Sequence, residues 1–402
     1  MKSKVSLIAS VSILMVVLLA SSRIEHILDI EEYPEAILTV IGALIVLAGV
    51  ISYQTGVSTS IIELIVGSLA ALTPLSMLAD NPTLNLLSRI GAIVLMFIAG
   101  TEIDIYVLRR TFKESLVLGL LSFFLPFMSA HIFLNYTGYS GLKNLLVSTG
   151  VATTSVAILY MALKDLGIFR SWLGQTMFAG AMITDILSMV ALSLILGRFS
   201  TLSMLYPLII LVIIIVLPPL LDKIVKLESS WDLELKFILL LLLVLALISE
   251  GIGVHSAITS FLLGIAFSET VKSHEYLEGK IKGLGFAFFI PIFFFKAGLL
   301  MNFGSLLKTI DYFIILALIA IVAKYIGAYI PLRMFFKVKE HKLAFLFNAR
   351  LAIGTLAAIY GLEYGIIGEA EYSIIIGLVV LSSIPVAIAI HKMPPISIEE
   401  PL

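Results

Sequence analysis

Asp185 is the one titratable residue in an apolar run from Phe178 to Val190, and Lys296 stands in a similar setting of opposite sign between Phe295 and Ala297. An ionised side chain at the centre of a membrane helix costs about 2.5–3.5 kcal/mol on insertion scales, so each residue marks a candidate site. A carboxylate in a narrow, partly wet cavity loses solvation, which favours its protonated form, while a nearby ammonium favours the ionised one. A sodium ion that takes Asp185 as ligand needs further hard oxygens, which the hydroxyls of Thr184, Thr153, Thr154 and Ser155 and freed backbone carbonyls can supply. Proton and cation then exclude each other on one group. Exclusion combined with access from alternate sides amounts to exchange, with no covalent step and no cofactor; the sodium ion and the proton are cargo.

The elements that must hold these groups are membrane helices. The chain has 402 residues, 60% hydrophobic and 13% charged, with a mean hydropathy of +1.11, whereas soluble domains carry about 25% charge. A net charge of -1 leaves no basic footprint for nucleic acid, and the absence of cysteine removes disulfides, thiolate chemistry and cysteine metal sites. Apolar runs of membrane-crossing length, about 20 residues, recur fourteen times, at 5–21, 33–50, 57–76, 85–103, 115–134, 142–163, 172–197, 201–220, 235–250, 254–269, 284–301, 310–332, 342–362 and 372–390. The first can also be read as a secretory signal, since Lys2 and Lys4 precede it and Ala20-Ser21-Ser22 closes it. With the N-terminus inside, Arg109, Arg110, Lys113, Lys164, Arg170, Lys223, Lys226, Lys272, Lys280, Lys282, Arg333, Lys337, Lys339, Lys342 and Lys392 fall on one side. Arg23, Lys143, Arg198 and Lys308 fall on the other. By the positive-inside rule both termini are cytoplasmic and the protein is a multi-pass protein of the cell membrane.

Spans two to seven and nine to fourteen form two sets of six, and an offset of seven helices inverts the second set. The expected fold is all-α and polytopic, with 13 to 14 transmembrane helices in inverted six-helix repeats. Its divisions are an extra N-terminal helix and loop at 1–32, a first repeat at 33–200, a linker at 201–234, a second repeat at 235–392 and a tail at 393–402. Two polar breaks occupy corresponding places: Ser148 to Ser155 in span six and Asn348 to Thr355 in span thirteen. Each sets a glycine and several hydroxyl or amide groups in an apolar helix, where an unwound turn frees carbonyls and amides for a cation. Such groups also serve as helix-to-helix glue.

Other polar residues have plainer readings beside functional ones. Glu63 and Glu102 either face a cytoplasmic funnel or pair near an interface. Asp104, with Arg109 and Arg110, is an inside flank. His255 sits at a helix entrance as a hydrogen-bonding group or a proton switch. Lys324 and Arg89 can extend toward an interface as anchors, and Arg350 belongs to the second break.

Ordered stretches carry a family resemblance from Glu63 to Ser383: Ile62 to Gly67, Phe97 to Asp104 leading into Leu108-Arg109-Arg110, Thr153 to Ala157, the Asp185 helix, Gly253 to Gly264 with Glu269, and Pro291 to Gly298. In these the chain resembles the second subgroup of monovalent cation:proton antiporters, the NapA-like sodium/proton exchangers and Kef-type potassium/proton systems. The resemblance implies that Asp185 alternately holds proton and cation, facing two crossed discontinuous helices, and that the protein is a homodimer joined by scaffold helices. It also implies that Lys296 matches a lysine which in the NapA-like branch pairs with the first of two adjacent aspartates. Here Thr184 stands in that place, so the usual ion pair is in question. The Kef-type branch commonly adds a cytoplasmic nucleotide-binding domain, and no phosphate-binding loop or nucleotide domain occurs in this chain. The expected activity is exchange of sodium, and of lithium, for protons. Potassium/proton exchange, a cation channel and an organic-anion symporter are the alternatives.

Overall fold

Backbone amides in hydrocarbon must pair within their own segment, so apolar runs of this length fold as helices. The computed structural model describes residues 34–197, 206–227, 232–336 and 341–392, and these contain helices and no strand. The expected span at 5–21, the 1–32 and 393–402 segments, and Arg23, Arg198, Lys337 and Lys339 lie outside the described residues. In chain order the first helices are α1 (Pro34–Thr55), α2 (Thr59–Ala70), α3 (Pro82–Thr101), α4 (Ile105–Arg110), α5 (Phe112–Tyr136), α6 (Gly141–Ala152), α7 (Val156–Asp165) and α8 (Trp172–Leu196). Next come α9 (Tyr206–Ile215), α10 (Leu217–Val225), α11 (Leu233–Gly251), α12 (Ser256–Ser273), α13 (Glu275–Leu284) and α14 (Ile290–Leu299). The last are α15 (Phe303–Lys308), α16 (Ile310–Phe336), α17 (His341–Phe345), α18 (Ala352–Glu363) and α19 (Glu369–Lys392). Nine helices among the described residues are long and apolar enough to cross a membrane, or ten if one bent pair counts as a span.

That bent pair changes the expected 57–76 span. α2 meets the 3-10 turn Pro74–Asp80 at 110°. Thr73, in extended backbone, accepts a hydrogen bond from the Leu75 amide at 3.3 Å, and Pro74 opens the turn where a helix needs no amide donor. α2 alone has 12 residues, about 18 Å of helix, and depends on its neighbours to bury its ends.

The helices sort into two bodies. α1, α2, α3 and α11 to α14 form a frame in which α3 lies along α12 and α2 along α14. α5 to α8 and α16 to α19 form a bundle built on the α5–α16 and α5–α8 pairs. Glycines let the frame helices touch backbone to backbone, as small residues do between membrane helices. A Cβ added at Gly100 would lie 2.2 Å from the Phe261 carbonyl oxygen, and one at Gly264 would lie 2.1 Å from that of Phe97. The α2–α14 pair repeats the device: a Cβ added at Gly67 would lie 2.0 Å from the Phe295 carbonyl oxygen, and one at Gly298 would lie 2.1 Å from that of Leu64.

Helix ends divide the molecule into a basic end, which carries Arg109, Arg110, Lys164, Lys272 and Lys282, and an opposite end, which carries Arg89, Lys143 and Lys308. Depth follows from these bounds. Lys324 sits near the centre of the 27-residue α16, about 20 Å from either terminus. Lys296 is three residues from the end of α14, about 5 Å along the axis.

Replacing Gly298 by Val drives a side chain into the α2 backbone, and overpacking of this kind costs about 1–3 kcal/mol. The thermal midpoint in detergent is expected to fall for Gly298→Val and to hold for Gly42→Val, because no atom lies within 4 Å of a Cβ at Gly42.

Candidate ion site at the helix crossing

The site begins with two helices that stop inside the bundle. α6 ends at Ala152, Thr153 and Ser155 are extended, and α7 restarts at Val156 with the Ser155 hydroxyl accepting from the Ile158 amide. Opposite it, α17 tightens into the 3-10 turn Leu346–Asn348, Ala349 is extended, and α18 restarts at Ala352. The breaks are joined directly, the Ser155 amide donating to the Ala349 carbonyl at 2.7 Å. Gly354 eases the approach: a Cβ there would stand 3.1 Å from the Val379 side chain and 3.2 Å from the Thr153 hydroxyl.

Stopping a helix leaves its last carbonyls unpaired and concentrates about half a negative charge at that end. Two buried cations answer this. Lys324, 0% exposed, donates to the carbonyls of Ser122 on α5, at 2.8 Å, and Ala152 at the end of α6. Arg350, also 0% exposed, donates from Nε to Val151 at 2.8 Å, from Nη1 to Asn348 at 3.0 Å and from Nη2 to Ala320 at 2.7 Å. Its amide donates to the Ser383 hydroxyl at 3.0 Å, and that hydroxyl returns a bond to the Arg350 carbonyl.

Asp185 is 5% exposed at the middle of α8, and its Oδ1 has no hydrogen-bond partner. The charged groups whose fields reach it are Glu102 and Lys324. Several other buried atoms share its condition: the Thr154 and Thr355 hydroxyls and both amide atoms of Asn348 are unpartnered. Buried polar atoms are rarely left so. Here they belong to the two breaks and to the carboxylate helix, and hard oxygens so placed suit a small cation. Among the described residues no group of three or more His, Asp or Glu could hold a metal.

The family profile described as sodium/hydrogen exchanger, transmembrane, matches residues 37–391. The chain belongs to that family. It is 29% identical over 326 residues to the probable Na(+)/H(+) antiporter 3 of Methanocaldococcus jannaschii, covering 77% of this chain and 83% of that one. Over 352 residues it is 29% identical to the Na(+)/H(+) antiporter of Enterococcus hirae, covering 83% and 91%, and 27% identical to the Na(+)/H(+)-K(+) antiporter GerN of Bacillus cereus, covering 84% and 90%. The solved structure of the sodium proton antiporter MjNhaP1 from Methanocaldococcus jannaschii superposes with a TM-score of 0.65 at 18% identity, covering 88% of this chain and 98% of that one. This sodium/hydrogen exchanger is a multi-pass, all-helical membrane protein.

The exchanger's expected site residues divide into those the fold brings together and those it does not. Asp185, Thr153, Thr154, Ser155, Lys324 and Arg350 belong to the crossing or act on it. Thr184 turns toward α5, donating to the Gly180 carbonyl at 3.1 Å and lying 3.4 Å from the Ser122 hydroxyl. Lys296 is not brought to Asp185. It is 4% exposed, lines a cavity of about 630 Å3 with Asp80, Arg89 and Glu363, and feels the fields of Glu363, Arg89 and Asp80. The lysine beside the Asp185 helix is Lys324, which the sequence offered as an anchor or a secondary site residue; its neighbour Ser122 touches Thr184, the position held by the first aspartate in the NapA-like branch.

Glu63 is buried in α2 with Oε2 unpartnered. Glu102 lies 3.8 Å from Lys282 at the basic end. Asp104 caps α4 through the Val107 amide at 3.0 Å and lies 3.6 Å from Lys272. His255 caps α12, its Nδ1 accepting from the Ala257 amide at 3.1 Å, the structural role among its two readings. Asn348 was noted only as part of a polar break. Its isolation depends on which groups the crossing leaves over, and no spacing announces that.

Lys324→Met strands the carbonyls of Ser122 and Ala152, at about 1–3 kcal/mol for each unsatisfied buried group. Lys296→Met removes no hydrogen bond among the described residues. Thermal unfolding in detergent is expected to show a large loss for the first substitution and a small one for the second.

Proposed function

We propose that this exchanger carries sodium, and lithium, in exchange for protons by alternating access at Asp185. The observation that carries the reading is a buried, unpartnered carboxylate oxygen beside two crossed helix breaks, whose end carbonyls at Ala152, Val151 and Asn348 already accept from Lys324 and Arg350. Because those cations are committed to backbone oxygens, Asp185 is free to take either a proton or a cation. Thr154, Asn348 and Thr355 contribute neutral oxygens from both breaks, and Thr153 and Ser155 hold the first break in shape. Lys324 supplies the electrostatic balance that was assigned to Lys296.

The bundle is the moving body and the frame the scaffold, and each draws helices from the inverted repeat at 33–200 and from that at 235–392, with 201–234 as the linker. Tight glycine packing in the frame suits a fixed partner, and meeting of two frames makes a homodimer. The basic end is cytoplasmic by its charge, which places the C-terminus inside a cell membrane. The names of the relatives favour sodium. GerN, named for potassium as well, makes potassium/proton exchange the second reading.

In sealed liposomes an imposed proton gradient is expected to collapse on adding sodium or lithium and to change little with potassium or rubidium, as followed by a pH-sensitive dye. Asp185→Asn keeps the shape and removes the titrating group, so the response is expected to vanish while the protein stays folded; transport surviving that substitution would place the carrier elsewhere. One carboxylate with Thr184 beside it gives one proton per sodium. Reversal measurements across sodium and pH gradients are therefore expected to be independent of voltage, and a shift fitting two protons per sodium would reject that stoichiometry.

A further inference from the structure

Frame and bundle meet unevenly. At the opposite end the last turns of α18 and the first turns of α19 grip the frame. The buried Tyr372 hydroxyl on α19 donates to the Ala297 carbonyl of α14 at 2.5 Å. That carbonyl is among the last four of its helix and has no intrahelical donor to fall back on. On α18 the buried Tyr360 ring lies 3.6 Å, centroid to centroid, from the ring of His255 at the start of α12. One turn later Glu363 lies 3.6 Å from Arg89 of α3. At the basic end a cleft of about 400 Å3 lies between Tyr53 and Ser60 of the frame and Ile158, Met161 and Asp165 of α7, while at the opposite end the cavity of about 630 Å3 beside Lys296 is crossed by these contacts.

We propose that Tyr372, the Tyr360–His255 ring contact and the Glu363–Arg89 pair form a releasable latch that closes the ion site at the opposite end and keeps it open at the basic end. This rests on the exchange reading for its purpose and on geometry for its existence. The parts differ in strength. Arg89 is largely exposed, and an exposed ion pair contributes little, so Glu363 guides and the buried bond holds. The cavity lined by Asp80, Arg89, Lys296 and Glu363 borders the latch, so polar groups freed by opening meet a polar space. Tyr372→Phe removes one hydroxyl and leaves the Ala297 carbonyl bare. The ratio of basic-end-open to basic-end-closed molecules is expected to fall about fivefold, the factor that about 1 kcal/mol carries.

The chain contains no cysteine, so thiol chemistry reports only on introduced sites. Spin labels on a Tyr53→Cys, Met161→Cys pair straddle the cleft, and pulsed distance measurement in nanodiscs is expected to show a larger short-distance population when Tyr372→Phe is added. In a separate Arg89→Cys, Glu363→Cys protein, a cleavable bifunctional thiol reagent is expected to stop exchange in liposomes, and reduction is expected to restore it. An unchanged distance distribution, or full exchange in the cross-linked protein, overturns the latch. Absence of cation-driven proton movement in the unmodified chain would instead count against the exchange reading, and the distance measurement would still decide the latch.

Discussion

The constraint on which the structure depends is the meeting of two helix ends inside the membrane. α6 and the 346–348 turn both stop there, and hydrocarbon offers no water to their carbonyls. Lys324 supplies one donor there, to Ala152, and Arg350 two, to Val151 and Asn348, while their remaining bonds to Ser122 and Ala320 tie in α5 and α16. A buried charge is ordinarily expensive, yet each of these cations rests on carbonyls at a helix end, where partial negative charge collects. The arrangement also decides the state of Asp185. Cations held by the backbone do not clamp the carboxylate, so one set of bonds both permits the broken helices and leaves the acid available.

Packing grades outward from this point, from main-chain contacts to side-chain ones. In the frame, Gly67, Gly100, Gly264 and Gly298 bring carbonyls of one helix against the α-carbons of the next, contacts with no rotamer to adjust. In the bundle, the crossing is tied by main-chain and guanidinium bonds. Between the bodies lie the Tyr372 hydroxyl, the Tyr360–His255 ring contact, the Glu363–Arg89 pair and bonds from the Tyr364 hydroxyl to Glu250 and from the Asn302 amide to Ser373, and a hydrogen bond of this kind is worth about 0.5–1.5 kcal/mol net.

The sequence disclosed whatever depends on residue type in a run: Asp185 in an apolar helix, both polar breaks, and glycines in the α2, α3, α12 and α14 segments. It did not disclose depth. Lys296 and Lys324 each stand among apolar residues, and the choice between them turns on where helices end, three residues beyond Lys296 and twelve beyond Lys324. Phe-rich flanks made the first look deep, while the length of α16 hid the second at its centre. The 57–76 run failed for a related reason: hydropathy sums over a segment, and the 110° bend at Thr73 and Pro74 does not lower the sum. Asn348 was out of reach because an orphaned amide is defined by neighbours three helices away.

Thr184 shows how a substitution of type becomes a property of the whole cycle. An acid at this position would stand beside Ser122, whose carbonyl takes the Lys324 ammonium. Threonine instead donates into its own helix, and the ammonium turns to main-chain oxygens. Under the exchange proposed at Asp185, the fixed charges of the bundle would be the same whichever cargo the carboxylate held, since sodium and a proton each add one positive charge, and the two half-cycles of that proposal would differ in chemistry at Asp185 and not in electrical work. An empty site would leave the carboxylate ionised among neutral oxygens, the state whose transfer through a low-dielectric seam is most costly, so the proposed coupling would rest on solvation.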